Sequence, residues 1–508
     1  MLLGIDLGTT GVKLVAISEE GNILFKHFES YKLYTPKSGW MEEKPEEWWK
    51  AILKALKMAT NALDPNAKKI TSMALSGQMH GSVFLSEKGE VIRPAILWND
   101  TRSFAQRKEI ENRVGKKVLL EKVQNLPLEG FTAPKILWLK ENEPENYSKV
   151  WKILLPKDYI NYKLTGKVVT EYTDASGTAL FNVVHRKWSE EVIEKAGLNF
   201  EHFPEVVGST AIIGKISKDV ARKTGINPNC VVVAGGADNA CGATGAGVVK
   251  DGQALVSVGS SGVVLIPTGD PNKRDPAGRL HFFNHTTGKW YNMAVTLSAG
   301  LSLRWFKDNF CQEEIKNNKN KDIYDLLVEK AETVPAASEG LLFLPYLNGE
   351  RTPHMNAKIR GLFTNISIRH TKAHFIRSIL EGVAYSLRDC LEVMRKQEMR
   401  VEKVRIVGGG AKSKFWLQIM SDILNVEIET LKTNEGPAFG AALIAGVGCG
   451  LYKNISDAVK IAVKTSKSIF PTENAQKYDQ TYRLYKEFYE STHVLMEKSF
   501  DIETKWKH

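Results

Sequence analysis

The sequence predicts an α/β protein built as two similar halves. Three observations predict it. Strand-like and helix-like patterns alternate from the first residues to about Lys223. A strand, a small-residue turn and a second strand open the chain at Leu2–Ile17, and the same unit recurs about 250 residues later at Ala254–Ile266. No Pro/Ser-rich linker separates the two, so the boundary near residue 246 reads as a hinge, giving units 1–246 and 247–508.

The elements follow in order. Leu2–Asp6 reads as a strand, Leu7-Gly8-Thr9-Thr10-Gly11 as a tight turn, Val12–Ile17 as a second strand, and Ile23–Phe28 as a third after Gly21-Asn22. Pro45 stands at a helix start, with Glu46 and Glu47 in the first turn and Trp48 and Trp49 behind them. Ile70–Ser76 reads as a buried strand broken by Gly77–Gly81, and Ala133–Asn142 as an amphipathic helix. The second half begins after Val231–Ala234 and Gly235-Gly236-Ala237-Asp238-Asn239. Its hairpin is Ala254–Val258, Gly259-Ser260-Ser261-Gly262 and Val263–Ile266. Val404–Val407, Gly408-Gly409-Gly410 and Lys414–Leu424 form a third strand–turn–helix unit. Ala438–Gly450 reads as a tightly packed small-residue helix. Lys477–Phe500, with Tyr478, Tyr482, Tyr485 and Tyr489 at helical spacing, reads as a terminal packing helix.

Composition narrows the class. The chain has 508 residues, 43% hydrophobic and 25% charged, which is ordinary for a folded protein. The opening run contains Asp6 and lacks a preceding basic segment, so it does not read as a signal peptide. The charge-free stretches Gln253–Gly269 and Ala438–Tyr452 are shorter than the ~20 apolar residues that cross a bilayer. Five scattered cysteines without a Cys-x-x-Cys pair argue against a disulfide framework or structural zinc, and for a reducing, cytoplasmic setting. The net charge of +11 suggests an anionic partner, but no aromatics interleave with the basic residues as a nucleic-acid site requires. The segments at Ala67-Lys68-Lys69 and Lys460–Lys467 are read as solvated faces.

Glycine-rich turns after strands let backbone N–H groups approach phosphate oxygens. Three occur here, two of them with hydroxyls (Thr9 and Thr10, Ser260 and Ser261). There is no P-loop and no dinucleotide fingerprint. Asp6 and Asp238 each close an apolar strand. Taken singly, each reads as a turn or capping acid. Together, beside phosphate-sized turns, they read as a metal-steering carboxylate and a general base, which is nearly all that phosphoryl transfer to an alcohol needs. Gln78 and His80 in the loop after a buried strand, with Asn99 and Asp100 after Trp98, are candidate contacts for a polyol.

These segments resemble the FGGY family of carbohydrate kinases. The resemblance rests on Gly4-Ile5-Asp6-Leu7-Gly8-Thr9-Thr10, on Gly39–Trp49, on Gly130–Asn142 with Thr132, Lys135 and Trp138, and on Gly361–His374 with Ser378–Gly382. Leu75–Gly81 with Arg93–Asp100 resembles the branch that acts on D-xylulose; glycerol kinases carry Arg-Glu where this chain has Met79-His80. The resemblance implies two actin-like ATPase (ribonuclease H-like) α/β domains closing over ATP and sugar. It implies ATP- and Mg²⁺-dependent phosphorylation of D-xylulose to D-xylulose 5-phosphate. Asp238 would be the base. Met79, His80 and Asn239, with Asp238, would contact the ketopentose. Asp6 and Asp238 would hold the metal. Thr9, Thr10, Gly259 and Ser260 would meet phosphates. Gly300, with Arg304 or Trp305, and Gly409, Gly410 and Lys414 would surround the nucleoside. Trp48, Trp49 and Trp138 would be mainly structural. Many members of the family are dimers, so a homodimer is an expectation, with no interface signal in the sequence. The alternatives are a kinase of another ketose or polyol (ribulose, gluconate, a sugar alcohol), a non-catalytic actin-like nucleotide-binding protein, and a basic nucleic-acid-binding protein. Neither nucleic acid nor membrane is an expected partner.

Overall fold

The computed structural model describes residues 1–64, 69–318, 321–433 and 435–506. The first half is organised by a six-stranded sheet. Its strands are β1 (Leu2–Leu7), β2 (Gly11–Ile17), β3 (Ile23–Ser30), β4 (Ser72–Gly77), β5 (Ile212–Lys215) and β6 (Val231–Ala237), in spatial order β5-β6-β4-β1-β2-β3. A seven-stranded sheet organises the second half: β7 (Gly252–Val258), β8 (Gly262–Thr268), β9 (His281–Asn284), β10 (Trp290–Thr296), β11 (Val401–Gly408), β12 (Glu427–Leu431) and β13 (Thr465–Ile469), in order β9-β10-β8-β7-β11-β12-β13.

The pairing repeats. β1 runs antiparallel to β2 and β2 to β3, β4 lies parallel to β1, β6 parallel to β4, and β5 antiparallel to β6. In the second half β7 runs antiparallel to β8 and β8 to β10, β11 lies parallel to β7, β12 parallel to β11, and β13 antiparallel to β12. The hairpin echo in the sequence is therefore part of a duplicated sheet, with β9 as an added edge strand. β1 and β4 are apolar and buried on both faces, as the centre of a helix-covered sheet requires.

The helices used below are α1 (Pro45–Leu63), α2 (Thr132–Asn142), α3 (Asp238–Gly245), α4 (Gly300–Phe310), α5 (Lys372–Arg395), α6 (Lys414–Leu424), α7 (Gly436–Gly448) and α8 (Asn474–Lys505). α1 starts at Pro45 and buries Trp48, Ala51, Ile52, Ala55, Leu56 and Ala59, an i, i+3, i+4 stripe, against the first sheet. The small residues of α7 bring it onto α3 and β1: a Cβ on Gly440 would lie 1.9 Å from the Cys241 carbonyl oxygen. α7 thus packs closely, as its small residues suggested, and it does so across the seam onto elements of the first half. α8 buries Tyr478, Tyr482 and Tyr485 in the second core.

Some readings are corrected. α2 is not amphipathic: Thr132 through Leu139 are all buried, because the helix is enclosed between the sheet region and the surrounding loops. The strand read at 70–76 is Ser72–Gly77. Asp238 does not enter a turn; it is the first residue of α3, directly after β6. Lys460, Lys464 and Lys467 are exposed, as read, whereas Ala67 and Lys68 lie outside the described residues. Among the described residues, no helix is long and apolar enough to cross a membrane.

Candidate active site

Two adjoining cavities lie at the seam between the halves, and a third lies within the second half beside them. The middle one, about 390 Å³, is lined by Asp6, Lys13, Asp238, Asn239, Ser257, Gly408 and Glu435. A second, about 220 Å³, shares Asp238 and Asn239 with it and adds Met79, His80, Trp98, Phe131, Ser261 and Arg351. That is below the roughly 300–1,000 Å³ of pockets for drug-sized ligands. The third, about 360 Å³, is lined by Gly259, Ser260, Gly300, Arg304, Tyr324, Gly409, Gly410, Lys412 and Trp416. Gly408 and Gly409, consecutive in the chain, connect the first cavity to the third. Asp238 stands where the small pocket opens into the central cleft.

Asp238 is anchored by one oxygen only. Its Oδ1 accepts from the Asn239 backbone N–H at 2.7 Å and from Asn239 Nδ2 at 2.8 Å. Burial, and then the Asp6 charge, push its pKa up to about 7, with the Asn239 hydrogen bonds offsetting part of the rise. Asp6 is pushed up to about 6 by burial, against the lowering effects of the Ser76 hydroxyl and the Lys13 charge. Its Oδ1 is buried without a hydrogen-bond partner. Below β6, Ala237 N–H donates to Thr173 Oγ1 (2.9 Å), which donates to Glu171 (2.7 Å). Glu171 belongs to a buried cluster in which Lys157 faces Asp158, Glu171 and Asp174. Three carboxylates keep Lys157 charged despite its burial, and burial, followed by the neighbouring carboxylates, drives Asp174 well above the usual range. None of these supporting residues was singled out from the sequence.

The small pocket is shaped by His80. Its φ of 67° is held because its carbonyl accepts from Lys135 Nζ (2.9 Å) and Thr132 Oγ1 (3.2 Å). The ring stacks on Phe131, centroids 4.2 Å apart, and Nδ1 contacts the Gly177 carbonyl oxygen at 2.6 Å. Burial and then the Lys135 charge hold the imidazole neutral, well below its usual pKa. A neutral ring with Nδ1–H donating to a carbonyl leaves Nε2 as an acceptor. Asn239 Nδ2 also reaches Met79 Sδ at 3.6 Å, tying the two predicted contact pairs together.

The two glycine-rich turns match. Gly8 N–H donates to Gly11 O and Gly259 N–H to Ser261 O, both at 3.0 Å. Ala299 N–H and Leu301 N–H donate to Ser260 O, and Gly300 N–H to Gly259 O, so α4 begins on the second turn. A Cβ at Gly300 would lie 2.5 Å from Gly259 O, which explains glycine there.

The structure brings together Asp6, Asp238, Asn239, Met79 and His80 in the first two cavities, and Gly259, Ser260, Gly300, Gly409 and Gly410 in the third. It does not bring Lys414 there. Lys414 is exposed at the start of α6, and Lys412 and Ser413 line the cavity instead, because Gly409–Lys412 forms a 3₁₀ turn. Of the pair Arg304 and Trp305, Arg304 lines the cavity and Trp305 packs on Phe310. Thr9 Oγ1 donates to Gln78 and accepts from Trp98 Nε1, and Thr10 is exposed. Asp100 is not free for a polyol: Arg102 chelates it and the Met41 N–H donates to it at 2.6 Å, so Trp98 lines the pocket instead. Among the described residues, no cluster of three or more metal-ligating side chains exists. The Asp6–Asp238 pair is two buried carboxylates, Asp6 raising Asp238, with a buried unpartnered oxygen on Asp6. This suits a hard divalent cation that keeps most of its waters. Arg351, Phe131 and Tyr324 were not read from the sequence. The only available signal was the charged pair before a proline in Gly349-Glu350-Arg351-Thr352-Pro353.

Two α/β halves with duplicated sheets, a cleft between them and a buried carboxylate shared by that cleft and a smaller pocket fit a phosphotransferase acting on an alcohol. The chain matches the models of the FGGY family of carbohydrate kinases, the N-terminal domain over residues 1–245 and the C-terminal domain over 254–449, and it belongs to that family. It is 39% identical to a xylulose kinase of Bacillus subtilis and 41% identical to one of Lactococcus lactis, each over 97% of both chains. The ligand-bound xylulose kinase of Lactobacillus acidophilus superposes with a TM-score of 0.91 at 26% identity, covering 98% of this chain and 99% of that one. The protein is thus a carbohydrate kinase that transfers phosphate to a sugar hydroxyl.

Proposed function

We propose that the protein phosphorylates D-xylulose at its terminal hydroxyl, with ATP as donor, in a cytoplasmic setting. The observation that carries the reading is the place of Asp238, shared by the small pocket and the central cleft. A sugar in the small pocket presents its hydroxyl at the one wall that opens toward the phosphates. The identity of about 40% to xylulose kinases over nearly the whole chain supports the choice of sugar.

The chemistry follows from the side chains. Asn239 holds Asp238 Oδ1, which leaves Oδ2 to accept the hydroxyl proton as the sugar oxygen attacks phosphorus. A carboxyl near pKa 7 is a stronger base than an ordinary aspartate yet is still substantially ionised at neutral pH. The Gly8–Gly11 and Gly259–Ser261 turns offer backbone N–H groups to the phosphates, and Gly300, Gly409, Gly410 and Trp416 enclose the nucleoside. Asp6 and Asp238 would hold Mg²⁺, which when bound neutralises charge on the phosphates. Closing the halves excludes water, the competing acceptor.

The test is ADP release measured with D-xylulose, D-ribulose, gluconate, glycerol and sugar alcohols. Preference for D-xylulose in kcat/KM is expected. A higher value for any other acceptor would overturn the substrate assignment, and release independent of acceptor would overturn the kinase reading itself.

A further inference from the structure

Arg351 is a cation in the wall of the small pocket with, among the described residues, no carboxylate at ion-pair distance; Glu129 and Glu350 act on its charge only from further away. Among the described residues, its guanidinium makes no ion pair and no hydrogen bond, although it shares the pocket with Met79, His80, Trp98 and Asp238. Its acidic neighbour is otherwise engaged. Glu350 accepts from Thr296 Oγ1 at 2.5 Å, Leu297 N–H at 2.9 Å and Arg351 N–H at 2.8 Å. Reciprocal backbone bonds between Glu350 and Asn356, both 2.8 Å, and Thr352 N–H to Val295 O at 3.0 Å fasten the loop to β10. The second half therefore delivers a fixed arginine to a pocket whose base, Asp238, comes from the first.

Arg351 and His80 line the same pocket, and the Arg351 charge adds to the burial that keeps the His80 imidazole neutral. A guanidinium only donates hydrogen bonds, and neutral His80 Nε2 only accepts. Side by side they complement a group that carries one acceptor next to one donor.

We propose that Arg351 and His80 together recognise an α-hydroxyketone, Arg351 donating to the carbonyl oxygen and His80 Nε2 accepting from the adjacent hydroxyl. This makes Arg351 the residue that selects ketoses over the polyols with the same hydroxyls, and makes sugar binding depend on the second half standing over the first. The proposal rests on the sugar-kinase reading above and adds the chemical group that is read. A polyol offers a hydroxyl where the ketose has its carbonyl; its oxygen can accept from the guanidinium, but its proton then needs an acceptor that the donor-only guanidinium cannot supply.

The experiment compares wild type with Arg351→Met, measuring kcat and KM for D-xylulose and for the pentitols made by reducing its carbonyl, KM for ATP, and quenching of Trp98 fluorescence by sugar without nucleotide. Wild type should prefer the ketose. Arg351→Met should raise the ketose KM about tenfold or more, the range for losing a hydrogen bond to a charged group, and should narrow the ketose-to-pentitol ratio by a similar factor. KM for ATP and Tm should stay near wild type. A ketose KM within twofold of wild type, or an equal rise for ketose and pentitols, would overturn the proposal. If Arg351→Met fails to fold, Arg351→Gln carries the same readout. Wild-type inactivity on D-xylulose defeats the substrate assignment, and Arg351 is then scored on whichever ketose is turned over. Turnover of polyols alone overturns its role.

Discussion

The two hairpin turns are the same device built in two ways. Asp6 and Ser257 each stand one residue before the end of the first strand of their hairpin, paired in register with Lys13 and Val263, and both line the central cleft. The first turn therefore carries an acid and a base; the second carries neither. Their fastenings differ as well. Side chains hold the first: Thr9 to Gln78, Gln78 to Glu43, Trp98 to Thr9. Backbone bonds from the start of α4 hold the second. A duplicated sheet has thus kept its charge and its tunable contacts on the side of the sugar, while the other copy offers a neutral, rigid cradle. Lys13 crosses the seam to Glu435 at 2.6 Å, a direct contact between the charged hairpin and the second half.

Mirror substitutions break this comparison most sharply. Asp238→Ala should lower kcat by about 10³-fold, within the range for loss of a positioned general base. Steady-state kinetics check it, with circular dichroism showing a retained fold. Asp6→Asn should cost about 10²-fold in kcat, the scale of a lost electrostatic contact to the transition state. Its counterpart Ser257→Ala should change kcat by little. Equal losses at the two positions would mean that the halves share the charge-handling role.

The pH dependence sharpens the same asymmetry. Asp238 must be ionised to accept a proton, so kcat/KM for the sugar should fall as pH drops below about 7. Stability should move the opposite way. Between its ordinary value of 3.8 and about 7, the folded protein holds the Asp238 proton more tightly than the unfolded chain. Stability is therefore lost as pH rises through that window. Asp238→Asn should be more stable than wild type at pH 8 by about 1–3 kcal/mol, the cost of the raised carboxyl discounted for a cleft open to solvent. The advantage should vanish below about pH 4. Thermal melts across pH measure it; an advantage unchanged by pH would exclude the carboxyl charge as its source.

Much of this was legible in the sequence because local chemistry set it. Pro45 with Glu46 and Glu47 marks the start of α1 to the residue. The hairpin glycines announce both turns, and Asp6 and Asp238 stand out as acids closing apolar strands. The rest needed tertiary contact. Lys135 stood out only as part of the segment Gly130–Asn142, because its partners, the carbonyls of His80 and Gly130, carry no sequence signature. Asp100 looked like a ligand because Arg102, two residues on, was not seen to chelate it. Arg351 is over 100 residues beyond Asp238, and only the closing of two sheets against each other brings them to one pocket.

The smallest expected effect tests how the first turn is held. Glu43 Oε2 accepts from Gln78 Nε2 at 3.0 Å and from Trp48 Nε1 at 2.7 Å, while Oε1 is buried without a partner. Burial pushes the carboxyl up to about 8, so the neutral form should predominate at pH 7. Glutamine has the same shape and the same acceptor oxygen. Glu43→Gln should therefore leave Tm and the KM for ATP close to wild type at pH 7, and should be the more stable protein above pH 8, where the wild-type carboxyl must ionise in a buried site. Glu43→Ala should cost about 1–3 kcal/mol at either pH, since it strands the Gln78 amide and the Trp48 indole N–H. It should also raise the KM for ATP modestly, because Thr9 loses its fixed partner. A Glu43→Gln variant as damaged as Glu43→Ala at pH 7 would show that Glu43 is ionised there. The first turn would then be held by charge rather than by a neutral chain of hydrogen bonds.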